Sequence, residues 1–501
     1  MVQGTSHAER RRIRDEALAL IDETQTAYHR LSDAIWSRAE LPMQETLSSA
    51  LLADHLERAG FEVERGVAGM PTAFVATAVF GSGRPALGIL AEYDALPSLS
   101  QAAGRLDQAP LVDGAPGHGC THNTMGTTST FAAVALKHVL ETERLDGTIK
   151  LFGCPGEEAL ISRPYMVRDG IFDGLDAVLD NHGGDEFRPL AGVSSSGMFS
   201  AIVTFHGRTA HAAGDPWHGI SAVHAVELMN HAVNMLREHL HYTARVHCVI
   251  PDGGRSPNVM PDLASVWYYV RDTDERLADS FQKVLRCAEG AAIATGCTHD
   301  VRTYTGIHQN YCNRALAELM HENVARVGMP AWTEEDIRFA KLFQKTNGLK
   351  RQGIRTTHGS VLMRTAKAFT GGGSSDVGEV TLVAPTATLL FPVLPRDVRG
   401  HHWQTVSFSA TPIAHKAITA AAKVLTATGI DLLCEPKRLK PIQDEFARLQ
   451  KQTPYKSYLS EDAKPPIDLN REAMAILRPQ MERHYVSVDA STPIVDTYAF
   501  E

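Results

Sequence analysis

The sequence predicts an α/β fold in which a larger domain is interrupted by a smaller α+β domain. Three observations lead there. A chain of 501 residues is too long for one small core, so two domains are expected. Over residues 1–191, short apolar runs alternate with amphipathic runs of helical spacing. Near Ala191 the texture changes to a β-α-β-β-α order, and the first texture returns near Tyr311. The expected parts are 1–191 and 309–435 for the larger domain, 192–308 for the insert and 436–501 for a C-terminal extension.

Residues 8–30 place Ile13, Ala17, Leu20 and Ile21 on one helical face. Two further helices are predicted at 31–38 and 46–60, the second stopped by Gly60. Residues 61–63 and 73–80 read as strands, and 86–91 as a buried strand running straight into Glu92-Tyr93-Asp94. Acidic residues at the carboxyl end of a buried strand stand where open α/β sheets place their sites. A Gly/Pro/Ala-rich loop (100–118), a helix (123–140) and a strand (148–154) follow, the last stopped by Pro155-Gly156. Residues 165–169 read as helix, and a short strand at 177–179 delivers Asp180, Asn181 and His182. In the insert, strands are expected at 193–206, 245–250 and 264–271, helices at 221–240 and 274–295, and a turn at 210–213. Residues 333–373 are polar and Gly/Thr-rich, which suggests a long excursion. An apolar run at 389–394 and a helix at 414–427 come next, and the tail beyond Pro436 is expected to pack peripherally.

The composition excludes several classes. The formal net charge is −9 and no Lys/Arg run occurs, which argues against a nucleic-acid partner. The charged N-terminus lacks the apolar core of a signal peptide, and no apolar run of about eighteen residues is evident, so no membrane span is expected. Seven scattered cysteines suit free thiols in a reducing cytoplasm.

The chemistry concentrates between Gly117 and Glu158. Cys120 and His122 stand one residue apart just before a helix, and Glu157-Glu158 follow the stopped strand. Thiolate, imidazole and carboxylate are the ligand types of a zinc-like ion. A neighbouring carboxylate can serve as the base that activates water at such an ion. The stretch reads as the core of a hydrolytic metal site.

Eight motifs, in order, resemble the aminoacylase/carboxypeptidase-G family of metal-dependent amidohydrolases and peptidases. They are E-Y-D-A-L (92–96), L-S-Q-x-A-G (99–104), G-H-G-C-x-H-N (117–123), C-P-G-E-E (154–158), A-H-A-A (210–213), S-P-N-V (256–259), S-x-D-V-G-x-V (374–380) and H-x-W-Q (401–404). The resemblance implies a zinc-peptidase-like catalytic domain and an inserted lid domain that also makes the dimer. It implies two divalent transition-metal ions, zinc or manganese. Cys120 would bridge them, His122 and Glu158 would complete one site, and His182 and His401 the other. Glu157 would be the general base and Asp94 would orient a ligand; His402 matches no metal position and Glu92 has no assigned role. From the insert, His211 would polarise the scissile carbonyl in the other subunit's site, while Asn258 and Arg271 would grip a substrate carboxylate.

The expected reaction is hydrolysis of the amide of an N-acyl or N-aroyl amino acid. Alternatives are hydrolysis of another C–N bond such as an activated aromatic amine, a dipeptidase, or one subunit of a heteromeric hydrolase. The expected partners are a small carboxylate substrate and a second copy of the chain, with a hetero-oligomer as the variant. The sequence departs from the family at Thr121, where glycine is usual, at Ala159-Leu160-Ile161, and at Asn181-His182-Gly183-Gly184. These departures suggest a changed pocket wall and a different or bulkier substrate.

Overall fold

The computed structural model describes residues 6–365, 369–490 and 492–498. The first five residues of the expected first part, three residues of the expected excursion, and Ser491 and 499–501 of the expected extension lie outside it.

Strands β1 (Glu62–Arg65), β2 (Phe74–Phe80), β3 (Ala86–Ala91), β4 (Gly147–Gly153), β5 (Ala177–Gly184) and β6 (Arg188–Val193) start the main sheet. The insert supplies β7 (Gly197–His206), β8 (Arg245–Asp252), β9 (Leu263–Asp272) and β10 (Thr298–Ile307). The chain then returns with β11 (Tyr311–Cys312), β12 (Leu362–Arg364) and β13 (Thr386–Pro392). The main sheet runs β1-β2-β4-β3-β5-β13-β6-β11, with β12 on β6, and its centre β4-β3-β5-β13 is parallel. Strands with helices on both faces read as continuous apolar runs, and β3 is buried throughout.

The insert is a four-stranded antiparallel sheet, β10-β7-β9-β8, under helices Ala222–Leu236 and Asp274–Thr295. The predicted β-α-β-β-α order lacks its last strand. β10 alternates little and is largely exposed at its start, so it carried no clear pattern, yet it pairs with β7 along its whole length. The predicted strand 193–206 is two strands broken at Ser194–Ser196, where the two domains join. There Ser195 Oγ donates to Asn310 Oδ1 at 2.8 Å, tying the outgoing chain to the returning one.

Other predictions are corrected. Residues 7–38 form one helix, because Leu31, Ala34 and Ile35 continue the buried face begun by Ile13. The excursion contains helix Glu334–Thr346, opened by a Thr333/Asp336 capping box and anchored by buried Phe339 and Phe343. The tail is not peripheral: Tyr455 donates to Glu379 at 2.7 Å, Tyr458 stacks on His308 with centroids 4.3 Å apart, and Tyr498 donates to Asp336 at 2.8 Å. Helix Pro412–Cys434 is long and apolar enough to cross a membrane, against the sequence expectation, but 94% of its apolar window is buried in the core. The seven cysteines, all among the described residues, form no disulfide.

Candidate metal centre

The predicted ligands converge where the parallel strands end. β3 delivers Glu92 and Asp94, the turn after β4 delivers Glu157 and Glu158, and β5 carries His182. Cys120 and His122 lie at the start of helix His122–Thr142, and His401 closes the group from a loop tied to Gly119 by a backbone bond of 2.9 Å. Carboxyl ends of parallel strands form such a crevice because the connecting loops splay apart there.

Second-layer hydrogen bonds fix the ligands. His122 Nδ1 donates to Asp94 Oδ1 at 2.8 Å, and Asp94 Oδ2 accepts from Glu158 N at 2.9 Å. His182 Nδ1 donates to the Gly183 carbonyl at 2.8 Å. Each bond leaves the opposite ring nitrogen free to face inward. Close donor atoms form three groups, Cys120-His122-His182, Cys120-Glu158-His401 and Glu92-His122-Glu157, and the first two hold the inner atoms of the expected ligands. Cys120 is common to both, as the bridge requires. In the first two groups His182 stands with His122, and Glu158 with His401. Cys120 Sγ lies 3.5 Å from His182 Nε2 and His401 Nε2 lies 3.6 Å from Glu158 Oε2, while His122 Nε2 and Glu158 Oε1, the pair expected from the sequence, are 4.0 Å apart.

The donor set fits divalent cations. Two donors about 2.1–2.3 Å from one ion at a near-tetrahedral angle stand about 3.4–3.6 Å apart. His122 Nε2 and Glu158 Oε1 are buried without a hydrogen-bond partner, a state that is costly without a counter-charge. The electrostatics agree. Burial pushes the Glu158 carboxyl up to about 8, and burial and Glu158 push the Cys120 thiol up to about 12. Burial and then Glu92 hold Glu157 well above the usual carboxylate range. His401 falls to about 4 through burial and through His122, His182 and Arg271. His122 goes the other way: against its burial, Asp94 and Cys120 hold it well above the usual imidazole range. The raised acids and the lowered His401 are what cations would reverse.

A model of the peptidase dimerisation domain matches residues 193–288. One of the subunits of p-aminobenzoyl-glutamate hydrolase from Escherichia coli is 35% identical over 476 residues, covering 89% of this chain and 97% of that protein. The chain belongs to the M20 family of peptidases and amidohydrolases. A mouse Xaa-Arg dipeptidase is 28% identical over 88% of this chain and 94% of its own length. Two solved M20-fold structures agree with the fold. One is an aminobenzoyl-glutamate utilization protein from Klebsiella pneumoniae, with TM-score 0.57 and 19% identity over 83% of this chain and 98% of that one. The other is a dinuclear metal-binding peptidase from Bacillus subtilis, with TM-score 0.54 and 18% identity over 82% and 99%.

The insert's three M20 motif residues part company. Arg271, on β9, faces the metal corner of its own chain: its guanidinium acts on Glu157 and His401, lies 5.6 Å over the Tyr269 ring, and donates to Met198 Sδ at 3.5 Å. His211 and Asn258 sit together on exposed loops at the other end, bridged by Ala212 N to Asn258 O at 3.1 Å. His211 Nδ1 accepts from Ala213 N and Gly214 N at 3.2 and 3.0 Å, so its Nε2 points away from its own loop. An open groove of about 650 Å³, lined by Ala212, Ser256 and Pro257 among others, borders this tip.

The departures from the family pattern also resolve. Thr121 has φ 65°, a left-handed conformation that suits glycine. Its hydroxyl is accommodated by Gly183, where a Cβ would meet Thr121 Oγ1 at 2.1 Å, so these two departures form one compensated pair. Leu160 and Ile161 do not line the site as expected. Leu160 packs against Met198, Ile307 and Tyr269 at the domain junction, and Ile161 is buried in a core cluster with Met43 and Tyr165. His402 caps helix Trp403–Phe408.

Sequence reading missed Arg163. Fully buried, it joins Glu92 Oε1 at 2.7 Å to Asp376. Asp376 lies in the S-x-D-V-G-x-V motif, so half of this pair was visible; an arginine on a seven-residue helix gave no signal.

Proposed function

We propose that this chain is a metal-dependent amidohydrolase that cleaves the amide of an N-acyl or N-aroyl amino acid. The observation that carries the reading is the pair of donor groups sharing Cys120, with Glu157 beside them. Cys120, His122 and His182 would hold one divalent transition-metal ion, and Cys120, Glu158 and His401 a second. A thiolate bridge suits zinc or manganese better than magnesium or calcium. Bound ions supply a water of pKa about 7 and a Lewis acid for the carbonyl oxygen.

The protein's own groups do the rest. Glu157 Oε2 lies 3.9 Å from His122 Nε2, at the edge of the donor cluster, where its carboxylate can take the attacking water's proton and pass it to the leaving amine. Asp94 keeps the His122 ring in its tautomer and orientation. Arg271 provides a planar fork for the substrate carboxylate from the same subunit. His211 would reach the carbonyl oxygen of a partner subunit's substrate, since in its own chain it stands at the exposed tip of the insert. The matched dimerisation domain supports that assembly, as does edge strand β8 with Val249 and Ile250 exposed. Acyl-amino-acid hydrolases among the relatives, such as hippurate hydrolase and indole-3-acetyl-aspartic acid hydrolase, support the substrate class.

Elemental analysis, chelation and a substrate panel test the reading. The pure protein should hold up to two transition-metal ions per subunit, and exhaustive chelation should abolish hydrolysis. Acyl amino acids with a free α-carboxylate should be cleaved in preference to their amides and to aromatic amines. Full activity without metal would overturn the proposal.

A further inference from the structure

We propose that Tyr269 is a substrate-binding residue whose hydroxyl donates, beside the Arg271 fork, to the substrate's carboxylate. This rests on the reading of Arg271 given above.

Side chains along β9 alternate between the two faces of the insert's sheet. Tyr268 and Val270 are buried in the insert's core with its helices. Trp267, Tyr269 and Arg271 therefore take the opposite face, where Met198 and Ser200 of β7 stand across from Arg271 and Tyr269. On that face the half-buried Tyr269 packs against Leu160, two residues beyond Glu158. Tyr269 is thus where the insert's sheet meets the turn that bears Glu157 and Glu158.

The neighbours of the ring account for its apolar body only. Leu160, Met198 and Ile307 pack on it, Trp267 meets it edge-on with centroids 5.7 Å apart, and the Arg271 guanidinium lies 5.6 Å over its centre. A phenylalanine would serve each of these contacts. The hydroxyl makes no hydrogen bond among the described residues, although a phenol out of bulk water ordinarily has a partner. Arg271 is in the same condition. Its bond within the chain goes to Met198 Sδ, a weak acceptor, and no carboxylate pairs with it among the described residues. Burial lowers its pKa from the ordinary guanidinium value, against Tyr269 and Glu157, as expected of a cation whose charge is poorly met.

Two neighbouring donors without an acceptor call for one from outside the chain. Burial, opposed by Arg271 and aided by Glu158 and Glu157, pushes the Tyr269 phenol up to about 12, so it stays protonated and able to donate. A carboxylate satisfies both groups at once. One oxygen about 2.8–2.9 Å from each donor spans the gap between fork and hydroxyl, and the anion supplies the charge that Arg271 lacks.

Steady-state kinetics of zinc-loaded full-length protein test this, with N-benzoyl and N-acetyl amino acids each beside its α-amide. Tyr269→Phe should lower kcat/KM for the acids about 10- to 100-fold, mostly through KM, and shrink the preference for acid over amide by the same order. Its zinc affinity and melting temperature should match the wild type, because phenylalanine keeps the packing. In an Arg271→Ala background the same change should cost less, since both groups serve one anion. Tyr269→Phe keeping the wild-type preference while Arg271→Ala loses it would overturn the role of Tyr269 alone. An equal loss toward acids and amides, or a fall in zinc affinity, would do the same. Wild type that shows no preference for acids, or Arg271→Ala that keeps it, would overturn the carboxylate reading of Arg271 and the role of Tyr269 with it.

Discussion

The metal corner and the tip of the insert are built on opposite principles. At the corner, most groups are buried or half-buried and several are held by a second group: His122 by Asp94, His182 by the Gly183 carbonyl, Glu92 by Arg163; His401, on its loop, is exposed. At the tip, His211 and Asn258 are exposed, and their hydrogen bonds stay within neighbouring loop residues. A corner of that kind can define geometry within one chain. The tip offers no enclosure, so the role proposed for His211 requires a surface from a second subunit. The difference teaches that motif residues of one family need not share a site within one subunit.

The largest expected effect tests the corner. Glu157→Gln should retain metal while kcat falls at least about a hundredfold, because only the proton carrier is lost. Glu158→Gln should instead weaken metal retention. Dialysis followed by elemental analysis and steady-state kinetics distinguishes the two.

Next come tests that set corner against tip. His211→Ala should lower kcat/KM by about 3–4 kcal/mol of transition-state stabilisation, the scale of losing one oxyanion donor. Mixed with Glu157→Gln under subunit exchange, it should recover about a quarter of wild-type activity, since half of randomly paired dimers carry one intact site of two. Arg271→Ala should cost about 10- to 100-fold in kcat/KM toward substrates with a carboxylate. Mixed with Glu157→Gln it should recover nothing, because Arg271 faces the corner of its own chain. Recovery by the Arg271 pair, or none by the His211 pair, would break the comparison.

A smaller effect is expected at the junction between the regions. Leu160→Ala should lower stability by about 2–5 kcal/mol and leave relative substrate preference unchanged, because the side chain fills space between the domains. Thermal unfolding with a substrate panel checks both parts.

The last test concerns pH in metal-free protein. The folded Glu158 carboxyl titrates at about 8, whereas an unfolded glutamate titrates near about 4.3. Between those values the folded state keeps a proton that the unfolded state has lost, so stability falls as pH rises through the window. Metal-free wild type should therefore lose melting temperature relative to metal-free Glu158→Gln from pH 5 to 8, a loss that added zinc abolishes.

Much of this was legible in the sequence, for reasons tied to particular residues. Cys120, His122, Glu157 and Glu158 are readable because short spacing and strand punctuation force them to one sheet edge. Which donors stand closest to one another was not readable, because His182 and His401 come from distant segments and their neighbours depend on where β5 and the His401 loop lie. Arg163 was hidden for the same reason: its partners Glu92 and Asp376 are 71 and 213 residues away. β10 was missed because an edge strand with an exposed face needs few apolar residues, and helix Glu334–Thr346 because its apolar stripe sits in a polar stretch. Leu160 was misplaced because sequence adjacency to Glu158 says nothing of side-chain direction; its backbone, at φ 58°, turns the side chain toward the insert.

The position of β13 between β5 and β6 has a consequence for biosynthesis. β5 leaves the ribosome with β3 as its only possible neighbour, and the strand that fills its other side begins roughly 200 residues later, which is about 10–40 s of translation. Throughout that interval an apolar strand edge stands open beside the half-built metal corner, while the insert, whose four strands are consecutive, can already close its own sheet. The nascent chain thus carries a finished small domain and an unfinished large one, and the segment containing β13 is the part whose delay or loss would expose it to aggregation.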